Sequence, residues 1–221
     1  MASQLGQDYF VLQVLNGLRG GYFLDTGATD GITSSNTLLL ERDYGWHGIC
    51  VEPNARYFAA LQNNRRCLCL PDCLDQTSGV VEFVEGAGML GGIRGHYPAM
   101  MWRYVQRCYG AQPASVRKHT RNIGELLQAS AAPAVIDYWS LDTEGAELAI
   151  LRGFPFEHYR FRVLTVEHNR QPMRDEIERL LNRHGYRRVH DFGIDDAYLS
   201  ADLSVPASLR AAWRSAALRR R

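Results

Sequence analysis

From residue 22 onward, short runs rich in β-branched and aromatic residues alternate with segments whose apolar positions recur every three or four residues. That alternation predicts a largely parallel sheet covered by helices. Phe10, Val11, Val14, Leu15 and Leu18 mark a leading helix over residues 7–18. Tyr22–Asp25 reads as the first strand, a helix capped by Ser34 or Ser35 runs to Asp43, and Gly48–Glu52 is the second strand. Pro53 or Asn54 opens a helix ending near Asn64, and Cys67–Leu70 follows as the third strand. Val80–Val84 is a short extra strand, and residues 85–118 form a long irregular stretch. A helix over Asn122–Gln128, a fourth strand at Val135–Leu141, a helix over Glu144–Leu151 and a fifth strand at Arg162–Glu167 resume the alternation. Pro172 suits the first turn of a helix running from Met173 to Asn182. Gly185–Phe192 and Ala197–Ala201 then read as a terminal antiparallel pair.

With 221 residues, 46% of them hydrophobic, the chain suits a single domain over 1–221. Residues 85–118 would be its lid or substrate-binding insertion and 203–221 its tail. Net charge is +1, Lys118 is the sole lysine, and the arginines are interleaved with acids, which argues against a general polyanion binder. MASQLGQDYF has neither a basic nor an apolar leader region, and no run approaches the roughly 18 apolar residues that span a bilayer, so a soluble, cytoplasmic protein is expected. Five cysteines without paired CxxC spacing indicate buried thiols rather than disulfides or zinc.

Ligands of open α/β sheets bind beyond the carboxyl ends of the strands, where strand order reverses. The turn after the first strand reads FLDTGATDG, with Gly27 and Gly31 permitting close backbone approach. The spacing is not the GxGxxG of dinucleotide loops, and Asp25 and Asp30 would repel a pyrophosphate. Those acids suit a ligand bearing an ammonium and a sulfonium, the chemistry of S-adenosylmethionine. Glu52, ending the second strand, is placed for ribose hydroxyls, Asp72 for the adenine amino group, with Cys73 beside it as a further cofactor contact, and Asp142, after the fourth strand, for the same crevice.

The blocks SQLGQDYFV, GYFLDTGATDGITSSNTLLLERDYGWHGICVEPN, IDYWSLDTEGAELAILRGFPF and LTVEHN, in this order over most of residues 3–170, resemble the FkbM-type S-adenosylmethionine-dependent methyltransferases. The resemblance implies a class I, Rossmann-like three-layer sandwich: a seven-stranded, mostly parallel sheet with one antiparallel strand, in the order 3-2-1-4-5-7-6. It also implies methyl transfer to a hydroxyl of a sugar or secondary metabolite, as in natural product biosynthesis. Residue by residue, Asp25, Gly27, Ala28 and Asp30 match the family's cofactor loop, Glu52 its ribose acid, and Asp142 and Glu144 its acidic loop after strand 4. Gln7 and Asp8 match its N-terminal GQD, expected to fold back near the cofactor, and Ser35 and Asn36 its SN element. Thr26 and Thr29 depart from the more typical DVGANDG.

A hydroxyl acceptor needs a proton taken away, so His168, at the end of the fifth strand, is the first candidate base, taken together with Glu144; His96 is the runner-up. Asp142, Glu167 and Asn169 also offer an oxygen-rich set for Mg²⁺, although acids facing a cationic cofactor account for the same composition without a metal. Arg94, His96, Tyr97, Trp102 and Arg103 of the insertion, with Asn169, are candidate acceptor contacts. The partner expected is a small hydroxyl acceptor, not nucleic acid; a homo-oligomer is left open. Competing readings are an RNA methyltransferase, an oxidoreductase disfavoured by the loop spacing, and a cofactor-binding module without catalysis.

Overall fold

Successive residues of the central strands enter two different cores, as the two-residue period of a strand requires. In the computed structural model, which describes residues 3–205 and residue 209, Leu24, Ile49, Trp139 and Leu164 pack into one cluster, while Phe23, Cys50, Tyr138 and Val163 pack into the other. The sheet is therefore covered on both faces, which is why its strands are apolar runs rather than strict alternations.

The elements are α1 (Gln7–Val14), β1 (Tyr22–Thr26), α2 (Leu38–Tyr44), β2 (His47–Val51), α3 (Ala55–Asn64), β3 (Leu68–Leu70), β4 (Cys73–Asp75) and β5 (Gly79–Phe83). There follow α4 (Ala99–Tyr109), β6 (Val116–Asn122), α5 (Ile123–Ala129), β7 (Val135–Leu141), α6 (Glu147–Arg152), β8 (Arg160–Glu167), α7 (Met173–Arg183), β9 (Tyr186–Asp191) and β10 (Asp195–Ser200). Seven strands form the main sheet in the order β3-β2-β1-β7-β8-β10-β9. Only β10 runs against its neighbours, pairing antiparallel with both β8 and β9. This is the predicted order 3-2-1-4-5-7-6, with the chain reversing direction across the sheet between β1 and β7. Helices α1, α2 and α3 bring Val11, Leu40 and Leu61 to one face. On the other face, α5, α6 and α7 bring Leu126, Ile150 and Leu181, completing three layers.

Several boundaries move for local reasons. Helix α1 stops at Val14, short of residue 18, because Asn16 and Gly17 take φ of 52° and 70°. Helix α2 starts at Leu38, since Ser34 sits at φ 55° and the Ser35 hydroxyl accepts the Leu38 N–H at 3.1 Å. Helix α6 begins only at Glu147, after Glu144 and Gly145 at φ 58° and 117°.

The stretch 85–118 is not irregular, which corrects the sequence expectation. It holds 3-10 turns at Glu85–Leu90 and Arg94–His96, the eleven-residue α4, and the start of β6. Strand β6 lies between β4 and β5 in a second, three-stranded sheet, parallel to β4 and antiparallel to β5. Val105 of α4 packs with Val84, Ala87 and Tyr97 in a small core of its own. The expected tail over 203–221 lies almost wholly outside the described residues. Among the described residues, no helix is long and apolar enough to cross a membrane.

Candidate active site

The carboxyl ends of β1, β2, β7 and β8 open into a cavity of about 510 Å³, within the range of small-molecule sites. Its floor is set by backbone contact. Gly27 takes φ 92°, and a Cβ there would lie 1.6 Å from the carbonyl oxygen of Asp142, so only glycine lets the two loops touch. The ladders run on past the strands: Gly27 and Ala28 donate to the Val51 carbonyl at 2.9 and 3.1 Å, and Asp142 to that of Thr26 at 3.0 Å. Four strand ends thus present their acids to one space.

Of the residues singled out in the sequence, Asp25, Gly27, Ala28, Ser35, Asn36, Glu52, Cys73, Asp142, Glu144, Glu167 and Asn169 line this cavity. Glu52 is 5% exposed and accepts the N–H groups of Thr29 at 2.9 Å and Asn54 at 2.7 Å. Burial pushes its carboxyl up to about 7, against those two N–H groups, which favour the charged form. Asn36 donates to the Ser140 hydroxyl at 2.9 Å and leaves its own buried carbonyl oxygen without a partner.

The remaining candidates are elsewhere. Asp30 caps the loop, accepting from the N–H groups of Ile32 and Thr33 and the Thr33 hydroxyl; partial burial opposes ionisation there, but those bonds hold its carboxyl below the usual value. Gln7 is fully buried and donates to Asp195 at 2.6 Å, while Gln4 from the same N-terminal segment reaches the cavity wall. Asp72 pairs with Arg121 at 3.2 Å and His96 with Asp75 at 3.0 Å. Arg94 lies over the Trp102 ring at 3.6 Å, Tyr97 packs against the same ring in a tilted arrangement, and Arg103 is exposed. Arg94, His96, Tyr97 and Trp102 brace the insertion, and none of the residues in these contacts lines the cavity. The insertion's contribution to the wall comes from Met89, Met101, Tyr104 and Tyr109, with Tyr57 of α3 beside them. Tyr104 and Tyr109 are 55% and 42% exposed. Their signal was the helical spacing of Met101, Tyr104 and Val105 inside a segment read as irregular.

His168 is also set back. Its Nδ1 accepts the Arg170 N–H at 3.0 Å, which places the proton of the neutral ring on Nε2. That Nε2 is buried, 3.7 Å from Asp196 and without a hydrogen bond. Burial holds the imidazole below its ordinary value despite the nearby Asp196. Nδ1 therefore has no lone pair to offer an acceptor, and the ring does not line the large cavity.

The carboxylates of Asp142, Glu144 and Glu167 do converge, with ligand atoms all within 4.8 Å of one another. Burial, then the neighbouring acids, pushes Asp142 up to about 8 and holds Glu144 and Glu167 well above the carboxylate range. Asp195, the cross-strand partner of Glu167, and Glu147 add to the negative field. Among the described residues, none of these acids has a lysine or arginine partner. Glu147 is structural: it accepts the N–H groups of Thr143 and Gly145 and closes the turn that aims Glu144 inward. The Glu144 Oε2 has no hydrogen-bond partner.

No match was found among curated proteins. Among solved structures, the methyltransferase domain of METTL16 superposes with a TM-score of 0.50 at 12% identity, covering 90% of this chain and 67% of that one. The N-terminal domain of human METTL16 gives 0.47 at 12%, covering 90% and 69%. A precorrin-6y C5,15-methyltransferase from Geobacter metallireducens gives 0.44 at 10%, covering 87% of each. Identities this low speak for the fold alone. The profile of the methyltransferase FkbM domain, by contrast, matches residues 25–188, running from the first acid of the cavity into β9. The chain therefore belongs to the FkbM methyltransferase family, whose cofactor is S-adenosylmethionine.

Proposed function

We propose that this methyltransferase moves a methyl group to a hydroxyl of a small acceptor, a sugar or secondary metabolite, with Glu144 as general base. One observation carries the proposal: three convergent carboxylates without a cationic side-chain partner stand beside Asp25 in a cavity of ligand size. Such a site favours a positively charged ligand over a phosphorylated one. The orphaned carbonyl oxygen of Asn36 fits a donor such as an ammonium. In this reading Glu52 takes the ribose hydroxyls, Leu74, Phe83 and Cys73 flank the adenine, and Asp25 and Asn36 face the amino-acid end.

When bound, S-adenosylmethionine supplies a methyl group already activated for displacement. The chain's own residues then align the acceptor, exclude water and remove a proton. The unpartnered Oε2 of Glu144 would take the hydroxyl proton as the C–O bond forms and the methyl–sulfur bond breaks, its electron pair leaving on the sulfur as a neutral thioether. Burial and the neighbouring acids raise the proton affinity of Glu144 above that of an ordinary carboxylate, the direction in which a stronger base lies. Met89, Met101, Tyr57, Tyr104 and Tyr109 cover the side from which an acceptor enters, which supports the insertion as the acceptor wall. Near-balanced charge supports a small acceptor over RNA.

A second reading of the carboxylate cluster is a divalent cation held by Asp142, Glu144 and Glu167, a hard-oxygen set suited to Mg²⁺. It is favoured by the same 4.8 Å convergence, with Glu144 in place of the Asn169 that the sequence suggested. Incubation with methyl-labelled S-adenosylmethionine and fractionated metabolite extracts, with and without Mg²⁺ and chelator, tests both. Label in a hydroxyl-bearing small molecule, lost in Glu144→Gln, is the expected result; transfer to RNA alone, or to nothing, would refute the proposal. Transfer abolished by chelator favours the cation.

A further inference from the structure

Behind Asp25 lies a buried arginine that does not itself line the cavity. Arg65 follows α3 at its C-terminal cap, and its side chain is 0% exposed. Its Nε meets Glu41 at 2.5 Å, Nη1 donates to the Ser35 hydroxyl at 3.2 Å, and Nη2 donates to the Thr37 hydroxyl at 3.0 Å. Thr37, fully buried, donates in turn to Asp25 Oδ2 at 2.5 Å. The direction of this relay is forced. A guanidinium has donors only, so Thr37 accepts from Arg65 and its single proton is committed to Asp25. Asp25 is thereby held as an acceptor, with its orientation fixed from behind.

The other groups facing Asp25 work against its ionisation or leave it unaided. Cys50 is its register partner on β2, Glu52 stands at the end of that strand, and Tyr138 and Asp142 come from the β7 side. None of them is a cation. Burial holds the Asp25 carboxyl above its ordinary value, and Arg65 and the Thr37 hydroxyl offset part of that rise. Few sequence signals would disclose this: Arg65 is one of two adjacent arginines before β3, indistinguishable in pattern from a solvated helix end.

We propose that Arg65, acting through Thr37, is a positioning residue for cofactor capture: it holds Asp25 as an acceptor, aimed so that Asp25 receives the ammonium of S-adenosylmethionine. The proposal rests on the placement of the cofactor's amino-acid end at Asp25. Calorimetric titration of the full chain from pH 5.5 to 8.5 tests it, with S-adenosylmethionine and with methylthioadenosine, which shares the nucleoside but lacks the amino-acid end. In Thr37→Val, S-adenosylmethionine should bind about tenfold more weakly at pH 7, with the acid limb of binding moved up by about one pH unit. Methylthioadenosine should bind as to the wild type, and Thr37→Ser should restore S-adenosylmethionine to within about twofold. Arg65→Lys, which keeps the charge but loses the fork, should show the same selective weakening and serves if Thr37→Val does not fold. Equal weakening of both ligands, or no change in either, would overturn the positioning role. Wild-type affinity in Asp25→Asn would instead overturn the placement of the ammonium, a separate result.

Discussion

Replacing Glu52 by glutamine should have two opposite effects, and the structure sets the size of both. In the wild type the carboxyl is pushed up to about 7 from an ordinary 4.5. A folded value above the unfolded one means that the folded state keeps its proton longer. The contribution of Glu52 is intact below about pH 4.5 and is lost as pH rises through 7, a difference of about 3 kcal/mol at 1.36 kcal/mol per unit. Glutamine does not titrate, so the stability of Glu52→Gln relative to wild type should climb by about that amount between pH 4.5 and 8. Glutamine has one carbonyl oxygen where Glu52 offered two, so either the Thr29 or the Asn54 N–H loses its acceptor. That costs about 1–3 kcal/mol at every pH, an offset that leaves the slope untouched. Cofactor binding should move the other way, weakening at least tenfold at pH 8 because a charged acceptor for the ribose is gone. Urea unfolding of both proteins at half-unit pH steps gives the first quantity and calorimetry the second. A flat stability difference would refute the placement of Glu52 as a desolvated acid, and unchanged affinity its role at the ribose.

Gly27→Ala should disable the protein: the added carbon would sit 1.6 Å from the Asp142 carbonyl in a residue already at φ 92°, so a loss of more than about 3 kcal/mol in urea unfolding is expected together with loss of cofactor binding. Glu144→Gln relieves repulsion within the carboxylate cluster and removes no hydrogen bond from Oε2, so it should melt higher than wild type at about pH 8 and equally below about pH 4.5, as followed by differential scanning calorimetry, while methyl transfer falls at least about a hundredfold. Tyr104→Ala and Tyr109→Ala, exposed at the cavity wall, should raise the acceptor KM about tenfold and leave the affinity for S-adenosylmethionine unchanged in calorimetry. His168→Gln should retain at least about a tenth of wild-type turnover, because its Nδ1 is already engaged by the Arg170 N–H.

The main sheet was legible because each of its strands carries its own instruction. Val135–Leu141 is seven residues with no breaker inside, and the structure gives β7 the same bounds. Strand β4 escaped detection because three residues after Pro71 hold no period to recognise. Helix α4 was hidden by its surroundings: glycines at 86, 88, 91, 92 and 95 made the whole segment read as loop, although the apolar positions 101 and 105 follow a helical spacing. Site residues sorted along similar lines. Acids at strand ends could be placed individually, since a strand end is a position in a pattern. Which of them meet is decided by the side-by-side packing of β7 and β8 and by a left-handed residue at Glu144, and neither fact is local. His168 was misplaced for the converse reason: it follows the strand end as expected, but the turn at Asn169 and Arg170 folds a backbone N–H onto its ring.

The contact between Gly27 and Asp142 makes the cavity a vice with one fixed jaw. The two loops bearing Asp25 and Asp142 are locked by main chain against main chain, so their spacing is set before any ligand arrives. No side-chain rotamer can widen it, and a bound molecule pays nothing to organise it. On the proposed reading, adjustment to acceptors of different size comes from the opposite jaw, the segment hung between β5 and β6, and divergence in what is methylated can accumulate there without disturbing the jaw assigned to the methyl donor.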